Sequence, residues 1–304
     1  MTHTTLDAPP AAAGSDRATP VAARSGKPTT GDRVVGGISH TVLVIWAIVI
    51  ILPLIWTVLS SFKNNSEIFA SPFSLPSKWN FDNYVSAWTT AHIGSFFFNT
   101  LVVVFGALIL TMLFGSMTAY VLARFQFPGS RVLYYLMLAG LTFPIFLAIV
   151  PLFFVLQNFG LLNTLPGLIV TYAAFAYPFT VFFLFSFFKS LSNSIAEAAA
   201  IDGAGEWRTF FQVMLPMAKP GLATVAILNF VGLWNQFLLP IALNTDPEKY
   251  VLTQGMAQFA SQAGYSVDFG ALFAAVVITV IPVFIVYLIF QRQLQGSVSQ
   301  GTNK

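Results

Sequence analysis

Apolar residues along this chain come in long unbroken blocks, unlike the alternation of a half-buried strand or the one-sided stripe of a soluble helix. Six blocks, at 38–60, 95–120, 132–156, 166–188, 221–243 and 269–291, contain no Asp, Glu, Lys or Arg. As helices rising about 1.5 Å per residue, each is long enough to cross a hydrocarbon core about 30 Å thick. The uncharged run from 132 to 188 is too long for one crossing. Gln157-Asn158-Phe159-Gly160, Asn163-Thr164 and then Pro166 interrupt it, as a loop followed by proline in the next helix's first turn. The blocks lack the period-two pattern of a membrane barrel. They predict an all-α polytopic membrane protein with six transmembrane helices.

Composition removes the soluble alternative. The chain is 56% hydrophobic and 8% charged, with a mean hydropathy of +0.76, whereas a soluble domain carries roughly 25% charged residues. The net charge of +3 comes from scattered basic residues that form no stripe, so nucleic acid is not an expected partner. There is no Cys, and His3, His40 and His92 lie far apart, so neither a thiol nor a metal centre is expected.

Lys and Arg are retained on the cytoplasmic side, which sets the orientation. With the N-terminus inside, only Lys63, Lys78 and Lys249 of the 14 basic residues fall outside, and both termini are cytoplasmic. Residues 1–36, rich in Ala, Pro, Thr, Gly and Ser, read as a disordered cytoplasmic tail. Residues 37–292 form the membrane domain, with a cytoplasmic loop at 189–219, and 293–304 a second cytoplasmic tail. On the outside, Pro72, Pro76, Trp79, Tyr84 and Trp88 suit a short loop with an amphipathic segment at the headgroup level.

The loop at 189–219 carries the most legible local signals. Ser194 and Glu197 have the spacing of a capping box, an alanine run propagates the helix, and Gly203 can adopt the left-handed conformation that stops it. A second helix starts near Glu206 and presents Phe210, Phe211, Val213, Met214 and Leu215 before Pro216 and Pro220. On local physics alone, Glu197 is a capping residue, Gly203 a C-cap and Asp202 a solvated helix-end acid. A carboxylate can cap with one oxygen and meet a partner with the other.

Glu197-Ala198-Ala199, Asp202-Gly203-Ala204 and Pro216 together resemble the EAA loop of permease subunits of ABC importers. Leu233-Trp234-Asn235-Gln236-Phe237 is similar to the Trp-Asn-x-Phe pattern of carbohydrate-importer permeases, and the segment order from Thr41 to Arg292 resembles the shorter, MalG-like member of the maltose-type pair. The long N-terminal tail is outside the family pattern. The resemblance implies a type I ABC importer permease fold in a bacterial-type plasma membrane. It also implies a MalF-like second permease, an ABC ATPase dimer that binds the ATP, and an extracytoplasmic sugar-binding protein. In that frame the first loop helix sits in a cleft of the ATPase. Glu197 pairs there with a basic group, Gly203 makes the sharp turn, and Ala198 and Ala199 permit close approach. The chain itself has no expected catalytic residue, cofactor or metal.

Other functions fit less well. A secondary transporter needs ionisable residues inside its spans, and the six blocks have no charged ones. No filter sequence, nucleophile constellation or G-x-x-x-x-G-K-[ST] loop is found. An ABC permease for a non-sugar solute remains an alternative. For the substrate, Asn229 and Gln236 lie seven apart and share a helical face, with Trp234 and Asn235 beside them. Amides and an indole suit a neutral di- or oligosaccharide, although Trp234 also reads as a packing aromatic. The orientation predicts that a cysteine at Ser77 reacts with an impermeant thiol reagent on intact cells. Cysteines in the first 36 residues should react only after permeabilisation, and the reverse labelling refutes the topology.

Overall fold

A computed structural model describes residues 30–261 and 268–299, and every regular element among them is helical. Two compact units divide the chain between Leu52 and Pro53. In the first, the described residues belong to α1 (Thr30–Ser60), and Val42, Leu43, Ile45, Ile48 and Ile51 are exposed, as suits contact with lipid or another apolar surface. The helix therefore begins inside the stretch assigned by composition to the tail. No proline falls between Thr30 and Leu52 to stop it. The rest of the expected tail lies outside the described residues.

The second unit contains short α2 (Asn65–Ala70) and α3 (Asp82–Val85), with a wider helical turn at Ser86–Thr90, and then α4 (Ile93–Arg124). Next come α5 (Ser130–Thr142), α6 (Ile145–Asn158), α7 (Leu165–Ser190) and α8 (Asn193–Ile201). After α9 (Glu206–Arg208), a wide turn over Thr209–Met214 leads to α10 (Leu215–Met217) and α11 (Lys219–Trp234). The chain ends with α12 (Leu238–Leu243), α13 (Leu252–Ser261) and α14 (Phe269–Ser299). Four helices are long and apolar enough to cross a membrane, or six if each of two bent pairs is one span.

Both bent pairs correct the sequence reading. Block 132–156 is two helices, α5 and α6, meeting at 105°. Pro144 holds Phe143 in an extended conformation, ψ 119°, which no helix can pass through. Block 221–243 ends as a helix at Trp234, because Asn235 turns its side chain back, its Nδ2 donating to the Val231 carbonyl at 2.9 Å. Before it, the stretch Glu206–Met217 meets α11 at 76°. The last helix runs on to Ser299, past the expected boundary at 292.

The centre of this unit is the seam between α4 and α7. Small residues set its spacing: a Cβ on Gly106 would lie 2.9 Å from Ile169, and one on Gly115 2.7 Å from Thr180. Two hydrogen bonds cross it, Thr118 Oγ1 to Tyr177 Oη at 2.6 Å and Thr111 Oγ1 to the Ala173 carbonyl at 3.3 Å. Around the seam, α11 packs against α4, α7 and α14, and α5 covers α7. One apolar cluster gathers near Trp234, Tyr172 and Leu239, the other near Tyr120, Phe188 and Met214.

The end of this unit away from α8 is tied by amides. Asn99 Nδ2 donates to the carbonyls of Glu248 and Tyr250, both at 2.9 Å, and Asn163 Oδ1 accepts from the Thr245 N–H at 2.7 Å. Gln254 is buried, with Nε2 bonded to the carbonyls of Pro240 and Asn244. Residues 62–92 hold α2, α3 and the wide turn, tied together by buried polar contacts. Lys63 is fully buried, its ammonium held by the Ser71 and Pro72 carbonyls at 3.0 and 3.1 Å, and Asn83 Nδ2 binds the Ser61 and Lys63 carbonyls. In the nearby turn, the Lys249 ammonium at 2.8 Å and the Glu248 N–H hold the Asp246 carboxyl below its ordinary pKa.

Candidate functional site

The segment that joins α7 to α11 is held at its start by a cap and a clamp. Ser192, not Ser194, is the N-cap of α8: its Oγ accepts from the Ser194 N–H at 3.3 Å and lies 2.7 Å from the Ser194 hydroxyl. Helix α8 starts one residue after that serine, so the expected Ser194–Glu197 capping box is not formed. The clamp is Arg124 at the end of α4, whose guanidinium donates to the Leu191 carbonyl at 2.8 Å and to Asn193 Oδ1.

The end of α8 matches the expectation for Gly203. With φ at +76°, Gly203 is left-handed; its N–H reaches the Ala200 carbonyl at 3.0 Å while the Ala204 N–H reaches Ala199 at 2.9 Å. This is a Schellman closure, which satisfies carbonyls left over at a helix end. A Cβ at Gly203 would meet nothing within 4 Å, so the requirement is conformational and not steric. The second helix begins at Glu206 as expected. Its turns widen over Thr209–Met214, where the Leu215 N–H bonds to the Phe210 carbonyl. Pro216 has no N–H and its ring would crowd the carbonyl four residues earlier, which accounts for the wider turn.

Burial separates the segment into two faces. Phe210, Met214 and Ala218 are buried, and Ile195, Ala196 and Val213 pack against the same cluster. Phe210 lies 5.1 Å from the Tyr120 ring and 6.4 Å from Phe188, and those two are 5.6 Å apart. Three rings thus join the segment to α4 and α7. This triangle and the Arg124 clamp escaped the sequence reading, because residues so far apart in the chain carry no shared period. Ala199 belongs to this inner face and is buried, so of the alanine pair only Ala198 is open for approach.

The outer face carries Glu197, Ala198, Asp202, Gly203 and Glu206, all exposed. Between these acids stand Ile201 at 86% and Trp207 at 67% exposure, Trp207 stacking on Phe211 at 6.0 Å. An exposed large aliphatic and an exposed, stacked indole among carboxylates give this face the mixed character that suits a protein partner. Trp207, Phe210, Tyr120, Met117 and Glu206 also line a recess of about 360 Å³.

The polar residues of the fifth block do not converge. Asn229 is buried, and its Nδ2 donates to Thr180 Oγ1 at 2.7 Å. Trp234 is 2% exposed, with Nε1 donating to the Thr279 carbonyl at 3.1 Å and its ring stacked on Phe230. Because α11 ends at Trp234, Gln236 leaves the helical register, and the shared face with Asn229 does not exist. Asn235 is exposed and Gln236 half-buried.

The comparisons with known proteins agree in kind. Residues 111–300 match the family described as binding-protein-dependent transport system inner membrane component. The chain is 66% identical over 273 residues to the diacetylchitobiose uptake system permease protein NgcG of Streptomyces coelicolor, covering 90% of each chain. It is 32% identical to the trehalose transport system permease protein SugB of Mycobacterium tuberculosis, covering 84% of this chain and 92% of that one. A crystal structure of a bacterial ABC transporter involved in the import of the acidic polysaccharide alginate matches in fold, with a TM-score of 0.77 at 24% identity over 87% of this chain and 98% of that one.

The Asn229 geometry makes a testable separation between packing and pathway. Asn229→Ala leaves the Thr180 hydroxyl bonded to the Ala176 carbonyl, so the expected loss is about 0.6 kcal/mol of stability, with solute uptake unchanged. Thermal unfolding in detergent and uptake in cells check it; lost uptake with unchanged stability would return Asn229 to the pathway.

Proposed function

The chain belongs to the family of binding-protein-dependent transport system inner membrane components, and on that premise we propose that it is the permease subunit through which a neutral di- or oligosaccharide of the diacetylchitobiose class enters the cell. The observation that carries the substrate class is the 66% identity to the diacetylchitobiose permease over 90% of both chains. Six blocks without a fixed charge support a neutral solute, since an anionic or cationic one would lack a counter-charge in the pathway. Asn235 and Gln236 are the pathway candidates that remain, because Asn229 and Trp234 are engaged in packing.

In this reading the outer face of the 193–217 segment meets a separate ATPase. Glu197 and Asp202 supply charge, Ala198 close approach, and Ile201 and Trp207 apolar area. Gly203, Ala204 and Ala199 fix the turn, and Pro216 sets the widened turn that aims Phe210 inward. Closure of the ATPase pair on ATP pushes this surface, and the Tyr120–Phe188–Phe210 triangle passes the displacement to α4 and α7. A second permease completes the pathway, a binding protein delivers the sugar from outside, and both termini lie in the cytoplasm. The chain hydrolyses no ATP of its own.

Uptake of radiolabelled diacetylchitobiose, measured with and without the gene, tests the substrate. Loss on deletion and competition by unlabelled chito-oligosaccharide but not by glutamate or phosphate are expected; undiminished uptake overturns the proposal. Gly203→Pro tests coupling, because proline requires φ near about −65° and donates no hydrogen bond. The variant should reach the membrane in normal amount and import nothing, and wild-type uptake would remove the coupling role.

A further inference from the structure

A cationic concavity lies beside the coupling segment, where the end of α4, the turn at 125–129, the start of α5 and the end of α7 meet. It encloses about 890 Å³, and its lining includes Arg124, Arg131 and Lys189 together with Tyr134, Tyr135 and Ser130, but no Asp or Glu. None of the three cations is within salt-bridge distance of a carboxylate among the described residues, where Lys249–Asp246 is the ion pair found. Arg124 binds the Leu191 carbonyl and Asn193 with its terminal nitrogens, while its Nε is buried without a partner. Lys189 leans over the Phe185 ring at 5.4 Å, and Arg131 is exposed. Three positive charges on one hollow, with no internal counter-charge, attract an anion.

The surroundings decide which anion. Helix α5 buries none of its residues, and Val132, Tyr135 and Leu136 are 62%, 61% and 56% exposed. An apolar strip therefore leads away from the cationic hollow along a helix in the membrane domain. A phosphate ion makes no use of that strip, whereas a phospholipid uses both parts. We propose that this pocket binds the phosphate of an anionic glycerophospholipid, with the acyl chains lying along α5. Arg124 then serves two contacts, since the guanidinium that faces the headgroup also holds the first turn of α8. The inference stands independently of the transported solute.

The test uses the full chain purified in neutral detergent and native mass spectrometry with phosphatidylglycerol, phosphatidylcholine and free glycerol phosphate. Wild type should retain phosphatidylglycerol in preference to phosphatidylcholine, and glycerol phosphate should not displace it. Arg131→Gln with Lys189→Gln should weaken phosphatidylglycerol binding about 25-fold, about fivefold per charge removed, with phosphatidylcholine unchanged. Arg131→Lys with Lys189→Arg should restore it. If the double glutamine variant misfolds, the single Arg131→Gln, at an exposed position, carries the test with the fivefold loss expected. Equal retention of the two lipids, or undiminished phosphatidylglycerol binding in the glutamine variants, overturns the proposal. Displacement by glycerol phosphate overturns the lipid assignment in favour of a free phosphate ester.

Discussion

Close approach of α4 and α7 is the constraint on which the second unit depends. In a chain whose outward face is as apolar as its inward face, burying hydrocarbon gives little reason for two helices to meet, so contact must come from van der Waals packing and hydrogen bonds. Gly106 and Gly115 let the helices approach until Ile169 and Thr180 fill the space a side chain would take. At that distance the Thr118–Tyr177 and Thr111–Ala173 bonds become reachable. Helix α11 then docks on the seam through Asn229, whose partner Thr180 is the residue that packs on Gly115. A bulky residue at position 115 would therefore disturb two interfaces at once.

The same seam anchors the segment that joins α7 to α11. Its outer face is open, but Phe210 is fixed between Tyr120 and Phe188, and Arg124 grips the approach to α8. Buried aromatic contacts and a two-pronged guanidinium resist shear better than a loop tethered only through the backbone. The proposed coupling role calls for such an anchor, because a segment free to tilt on its own would absorb a displacement. The left-handed Gly203 separates α8 from α9 while closing the hydrogen bonds left open at the end of α8.

Charge-free blocks and the glycine stop were legible in the sequence because each has a local cause. Block length reports membrane thickness, and a positive-φ stop after an alanine run calls for glycine. What was not legible depends on contacts between distant residues or on competition between neighbours. Pro144 within a uniformly apolar run gave no polarity signal, yet it divides the block into α5 and α6. Two serines compete to cap α8, and Ser192 prevails while Arg124 holds the chain just before it and just after it, at Leu191 and Asn193. The sequence places Lys63 outside but gives no sign that it is buried among the Ser71 and Pro72 carbonyls, which it could reach only once residues 71–74 had folded over it.

Amides are where the sequence misled most, and the reason is general to membrane chains. Every break in a helix leaves carbonyls and N–H groups that lipid cannot satisfy. Asn and Gln carry both a donor and an acceptor and can reach either kind of orphan. Asn235 meets Val231, Asn99 meets Glu248 and Tyr250, Asn163 meets Thr245, and Gln254 meets Pro240 and Asn244, each at or beside a helix end. An amide in an apolar block is therefore first a repair of the backbone and only afterwards a group left over for a solute. Neither amide count nor helical spacing can identify a sugar pathway in such a chain. At the break after Trp234, Asn235 stays exposed even with its bond to Val231, and Gln236 beside it is half-buried, so exposure and not amide type is what keeps these two apart from the repairs.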